Sequence, residues 1–244
     1  MKPQRIVSLV PSLTELVCWL GEGDRLVGRT TFCVEPAAEL AKVPRIGGTK
    51  NPKIARIVEM APDLVLANRE ENRREDVEAL QAAGLRVLVT DPNTVPEAVA
   101  MIRELGGLLG AQERAEALAA EVEGELAAPN PERGRRVFVA VWNEPLMGLG
   151  SESYGHDLLE RCGGENVLRD QPRYPASSRE ELAALAPDLI LLPDEPYPFD
   201  GEHAAKFSEI APAQVVDGRL LWWYGPRLPE ALRTLRALLA ELTQ

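Results

Sequence analysis

The sequence predicts an α/β protein of two similar lobes with mostly parallel sheets, joined by one long connecting helix. Three observations carry this. Short apolar runs alternate with amphipathic helical stretches along the chain, the pattern of strands crossed over by helices. A ten-residue segment, Ile57-Val58-Glu59-Met60-Ala61-Pro62-Asp63-Leu64-Val65-Leu66, is echoed 125 positions later by Leu182-Ala183-Ala184-Leu185-Ala186-Pro187-Asp188-Leu189-Ile190-Leu191. That period is too long for a solenoid repeat and fits two lobes instead. Finally, a helical stretch over 112–126 is fenced by Gly106, Gly107 and Gly110 on one side and Pro129-Asn130-Pro131 on the other. At about 1.5 Å per residue it reaches roughly 20 Å, enough to cross between lobes.

The elements follow in order. Residues 6–10 (Ile-Val-Ser-Leu-Val) form a buried strand. Ser12-Leu13-Thr14-Glu15 has the spacing of a capping box and predicts a helix capped by Ser12. A helix over 52–60, a strand over 64–67 and a helix over 73–83 come next. Gly84 stops that helix, and a strand runs over 85–89. Helices over 96–109 and 112–126 follow; in the second, Ala115, Leu118, Val122 and Leu126 recur at helical spacing. The α/β pattern then restarts with a strand over 137–142. The predicted division is a first lobe over 1–110, a connecting helix over 111–130 and a second lobe over 131–244.

Composition narrows the function classes. The net charge of −11 argues against nucleic acid or an anionic membrane surface as partner. No apolar run approaches the length of a membrane span. Cys18, Cys33 and Cys162 are odd in number and widely spaced, which is not a disulfide framework. With only His156 and His203 beside them, a structural zinc site is not expected. The chain enters its first strand with no signal-peptide pattern. As it stands it reads as cytoplasmic, or as extracytoplasmic if it is a trimmed mature form.

Several segments carry a resemblance. Arg5-Ile6-Val7-Ser8-Leu9-Val10-Pro11-Ser12 with Glu15, Ile46-Gly47-Gly48, Ala61-Pro62-Asp63-Leu64, Cys162-Gly163-Gly164-Glu165-Asn166-Val167 and Ser178-Arg179-Glu180-Glu181 stand in this order. Together they resemble the substrate-binding proteins of cobalamin and ferric-siderophore ABC importers. Gly47–Asn51, Asn68–Asn72, Glu195–Phe199 and Trp223–Arg227 look most similar to a branch of that family beginning without a signal sequence. The resemblance implies two α/β lobes, one rigid connecting helix and a ligand in the cleft between them. It implies no enzyme activity and no built-in cofactor. The ligand it implies is a metal chelate, namely a corrinoid such as vitamin B12, haem or a ferric siderophore. The partner it implies is an ABC permease, met by a monomer through surface acids for which Glu75 and Glu209 lie near the family's positions.

Ligands of open α/β sheets bind beyond the carboxyl ends of strands. That rule selects loops carrying Phe32, Cys33, Lys50, Asn68 and Arg69 in the first lobe. In the second it selects Trp142, Arg173, Tyr174, Glu195, Tyr197, Trp223, Tyr224 and Arg227. Aromatics are 5% of the chain, yet most fall in these loops, and flat aromatic faces suit a large planar ligand. Arg69, Arg173 and Arg227 can pair with its acidic groups. Trp222 and Trp223, read as strand neighbours, face opposite ways, so one belongs to the core. Cys33 and His203 are the side chains able to reach a chelated metal directly.

Two rival readings remain. Asn143-Glu144-Pro145 after a strand looks like a retaining glycosidase's acid/base segment, but the chain lacks eight β/α repeats. A cytosolic sensor keeps the binding site and loses the permease contacts. Gly148-Leu149-Gly150 followed by Gly155 misses the dinucleotide spacing.

Overall fold

The computed structural model describes residues 2–131 and 134–241. The chain folds as two compact units. The first comprises Met1–Pro92, Glu97–Glu121 and Tyr224–Pro226, and the second Asn93–Pro96, Val122–Trp223 and Arg227–Gln244. The change of unit therefore falls inside the 112–126 helix rather than at its ends, and two short segments join the unit away from their chain neighbours.

In the first unit the elements are β1 (Ile6–Ser8), α1 (Pro11–Trp19), β2 (Leu26–Arg29), α2 (Ala37–Leu40), β3 (Gly47–Gly48), β4 (Asn51–Pro52), α3 (Ile54–Glu59), β5 (Leu64–Asn68), α4 (Arg74–Ala82) and β6 (Val87–Thr90). The parallel sheet has the order β2-β1-β5-β6, and β3 and β4 make a separate hairpin. Two longer helices follow, α5 (Val95–Leu109) and α6 (Gln112–Leu126). The second unit contains β7 (Arg135–Trp142), β8 (Met147–Gly148), α7 (Tyr154–Arg161), β9 (Gly164–Asn166), α8 (Arg179–Ala184), β10 (Leu189–Pro193), α9 (Gly201–Phe207), β11 (Ala213–Val216), α10 (Arg219–Trp222) and α11 (Leu228–Glu241). There β9, β7, β10 and β11 run parallel side by side, and β8 pairs antiparallel with β7. The two parallel sheets share one topology: the first strand lies between the second and third, and the fourth is an edge.

Central strands are apolar because both faces are covered. All five residues of β5 and all five of β10 are buried. Leu64, Val65 and Leu66 in one sheet and Ile190, Leu191 and Leu192 in the other are fully enclosed, each stabilising by roughly 1.5–3 kcal/mol. In α6, Ala115, Leu118 and Val122 are buried as their spacing predicts, Ala119 is buried beside them, and Leu126 at the helix end is half-buried.

The sequence echo is a structural device. Ala61 and Ala186, at matching places, both adopt left-handed backbone with φ of 45° and 46°. Arg5 reaches back to this turn, donating from Nη2 to Met60 O at 2.6 Å and from Nε to Ala61 O at 3.2 Å. Arg136 does the same to Leu185 O at 2.7 Å and Ala186 O at 3.3 Å. Met60 and Leu185 are the C-caps of α3 and α8, where free carbonyls favour a cation. Asp63 then accepts the backbone N–H groups of Gln4 and Arg5, and Asp188 accepts that of Arg136. Asp63→Ala and Asp188→Ala are each expected to cost about 1–2 kcal/mol, the range for charge-assisted bonds reduced for exposure. Urea unfolding midpoints check this; a loss at one site without the other argues against equivalence.

Two local expectations are corrected. Ser12 does not cap α1: Pro11 occupies the first turn, Val10 is the N-cap and no side chain caps it. Proline at N1 starts the helix one residue early, so Ser12 is buried inside it and Thr14 Oγ1 bonds Ser8 Oγ and Val10 O at 2.8 Å each. The same signature does work at α8, where Ser178 and Glu181 form a capping box. Trp222 is not in a strand but ends helix α10. The helix forms because Asp217 accepts the Arg219 backbone N–H at 2.9 Å and binds its guanidinium.

Candidate functional site

In the first lobe the carboxyl ends of β2 and β5 and the β3–β4 hairpin carry the expected residues. Phe32 is 60% exposed, its ring placed 3.3 Å from where a Cβ on Gly48 would stand. Lys50, at the hairpin turn, donates to Glu70 O. Arg69 is exposed and pairs with Asp91 at 2.9 Å. These three side chains present an apolar ring and two cations at the surface.

Three first-unit expectations change. Cys33 is fully buried, its Sγ 3.1 Å from Thr30 Oγ1, and burial pushes its thiol well up. It therefore does not reach a chelated metal. Asn68 is buried and its amide is spent on the backbone: Oδ1 accepts from Glu70 N at 2.9 Å and Glu71 N at 3.2 Å, and Nδ2 donates to Thr90 O at 2.9 Å. It shapes the loop rather than lining a site. Tyr224 belongs to this unit and is buried. Burial raises its phenol far above the usual range, opposed by hydrogen bonds with Thr90 and Ser12.

The second lobe gathers an aromatic cluster at the ends of β7 and β10. Trp142 remains 41% exposed. Its indole N–H donates to Glu144 O at 3.1 Å, which fixes the ring while leaving a face open. Tyr197 meets it edge-on, with centroids 5.2 Å apart at 75°. Behind Tyr197 stand Phe199, at 4.7 Å and buried, and His203, at 5.5 Å. The Tyr197 hydroxyl accepts from Asn143 Nδ2 at 3.4 Å. His203 has Nδ1 2.6 Å from Asp200 Oδ1 and Nε2 3.4 Å from the Tyr197 hydroxyl. His203 thus packs within the aromatic cluster between Asp200 and Tyr197. Among the described residues no group of three His, Cys, Asp or Glu side chains converges as a metal site.

Glu195 is a clamp. Its carbonyl accepts the Trp222 indole N–H at 2.6 Å, its carboxylate accepts a hydrogen bond from Trp223, and Gly218 packs so closely that an added Cβ there would lie 2.7 Å from Glu195 O. Trp223 is buried and Trp222 half-buried, and Arg227 lies 5.4 Å over the Trp223 ring. Burial raises the Glu195 carboxyl above its usual range, with Asp194 and Asp217 adding to the rise and Trp223 and Arg219 opposing it. The fold thus prefers the protonated form. Its stabilisation is complete below the ordinary carboxyl range and is lost as pH climbs through the raised value. Glu195→Gln, neutral throughout and still an acceptor, is expected to melt at or above the parent temperature at pH 8, the difference closing near pH 4. Thermal melts across that range check it; a lower melting temperature at pH 8 contradicts it.

Arg173, itself left-handed with φ 61°, donates to Asn93 Oδ1 at 2.9 Å and Glu152 O at 2.6 Å and lies 5.8 Å from the half-buried Tyr174 ring. Glu144 is exposed in the turn between β7 and β8. The glycosidase reading required a barrel, and the sheets of four and five strands are not one. Glu75, in the first turn of α4, and Glu209, after α9, are both exposed. A shallow concavity of about 410 Å³ lies elsewhere, between 129–131 and α11. It holds none of the expected residues, and its Arg233 and Arg236 are bound to Glu125.

Sequence reasoning missed Asn72. This buried amide lies in the turn between β5 and α4, where no local periodicity marks it. The sequence also gave no sign that Asn143 supports Tyr197.

Residues 6–209 match the periplasmic binding protein family. The chain is 32% identical over 193 residues to a vitamin B12-binding protein of Salmonella typhimurium, covering 77% of this chain and 71% of that one. It is 29% identical over 250 residues to an ABC transporter substrate-binding lipoprotein of Bacillus subtilis, covering 96% and 79%. A periplasmic heme-binding protein of Pseudomonas aeruginosa superposes with a TM-score of 0.84 at 27% identity, covering 98% and 93%. That family consists of substrate-binding proteins, and neither the sensor nor the glycosidase reading is favoured. With two repeated α/β units, open aromatic residues at the strand ends and a match spanning 6–209, this chain belongs to the periplasmic binding protein family.

Proposed function

We propose that this protein is the substrate-binding component of an ABC importer and takes up a metal chelate, with a corrinoid of the vitamin B12 class first and haem second. The observation that carries the reading is Trp142: a large apolar ring left 41% open and pinned by its own loop. The ring stands at the carboxyl end of β7, where ligands of open α/β sheets bind, and its face with the Tyr197 edge suits a broad flat macrocycle. The vitamin B12-binding relative favours the corrinoid and the heme-binding neighbour favours the second choice. A chelate already wrapped by its own donors also suits the burial of Cys33 in the first unit and the contacts of His203 with Asp200 and Tyr197 in the second. The protein performs no bond chemistry in this role. Its place of work is outside the cytoplasmic membrane, facing a permease through the exposed Glu75 and Glu209. No helix among the described residues is long and apolar enough to cross a membrane.

The test is a tryptophan-fluorescence titration with cyanocobalamin, haem and a ferric-siderophore panel, corrected for ligand absorbance. Saturable quenching at micromolar or tighter concentration by one of them names the ligand class. Silence toward all of them overturns the chelate reading.

A further inference from the structure

We infer that Asn72 is the positioning residue for the ligand-facing loops of the first lobe. Its carboxamide is buried and makes three bonds, each to the backbone of a different segment. Oδ1 accepts the Asn68 N–H at 2.9 Å, where β5 ends. Nδ2 donates to Thr49 O at 3.0 Å in the β3–β4 hairpin, and more weakly to Leu9 O at 3.4 Å, just beyond β1. One amide thus ties together three strand ends.

The tied segments carry the exposed side chains. Thr49 precedes Lys50, Gly48 of the same hairpin supports the Phe32 ring, and Asn68 precedes Arg69. The Lys50–Glu70 contact joins the hairpin to the β5 loop a second time, at the surface. Asn68 extends the network by fixing the N–H groups of Glu70 and Glu71 and the carbonyl of Thr90. An exposed cation held only by a backbone carbonyl is a weak anchor in water. The buried amide is the stronger constraint because its bonds to Asn68 and Leu9 are shielded from water and its bond to Thr49 partly so. The hairpin in particular has only four strand residues, too few to fix its own position. Asn72 need not touch the ligand; it sets where Phe32, Lys50 and Arg69 stand.

Two variants separate the bonds. Asn72→Asp keeps the acceptor toward Asn68 and loses both donors. Asn72→Leu loses all three bonds at similar size. Backbone hydrogen exchange is expected to quicken over 47–52 in Asn72→Asp, and over both 47–52 and 68–72 in Asn72→Leu, while β1 and β5 stay protected. Because the second arm rests on the chelate reading, cyanocobalamin is the probe there, and its affinity is expected to fall about tenfold or more in both variants. Unchanged exchange over 47–52 in both variants overturns the inference, as does unchanged cyanocobalamin affinity in variants whose exchange has quickened. If the parent protein itself fails to bind cyanocobalamin, the ligand reading fails instead, and the graded exchange pattern decides the role of Asn72 alone.

Discussion

Replacing Trp142 with alanine is expected to weaken chelate binding by about 30-fold or more while shifting unfolding stability by less than about 1 kcal/mol. The asymmetry follows from where the indole sits. It ends β7, is 41% exposed, meets Tyr197 through a single edge contact and gives its N–H to a carbonyl two residues away. A ring so placed adds little to the core, whereas a desolvated aromatic anchor contributes about 2 kcal/mol or more to a complex. Titration and urea unfolding of the same sample check both halves. A stability loss of about 3–5 kcal/mol would mark Trp142 as a core residue, and an unchanged affinity would remove it from the site.

The opposite result is expected for Asn68. Asn68→Ala is expected to destabilise the protein by about 2–4 kcal/mol, because it removes three bonds of a buried amide, two from the part-buried N–H groups of Glu70 and Glu71 and one to Thr90 O, each worth about 0.5–1.5 kcal/mol. For a chain of this size that corresponds to a fall of roughly 4–16 °C in melting temperature. Denaturant unfolding measures it. A loss under about 1 kcal/mol together with a binding defect would return Asn68 to the ligand surface. Trp142 and Asn68 were equivalent on the sequence, both polar-capable residues at strand ends, and burial is what separates them.

The same separation describes what could be read in advance. Alternating apolar runs and helical periodicity locate β1, β5, β6, β7, α5 and α6 because these patterns depend on neighbours within one or two turns. The echo around Asp63 and Asp188 foretells two similar lobes because each copy closes its own helix-to-strand turn, with Arg5 and Arg136 supplying the matching contacts. Where capping chemistry is complete within four residues, as at Ser178, it is legible; where Pro11 competes for the same turn, it misleads.

By itself, then, the sequence determined the class of fold and the main elements around α5 and α6, and it proposed the strand ends at which a ligand would be met. Only the tertiary structure decided which strand-end residues remain open to it. Tyr224 is covered where Thr90 and Ser12 take its hydroxyl, Cys33 where Thr30 takes its thiol, and Asn68 where Thr90 takes its amide, while Phe32 and Trp142 stay exposed. The physical reason is that secondary structure is written in local periodicity, but the burial and satisfaction of a loop side chain depend on partners as distant in sequence as Ser12 is from Tyr224.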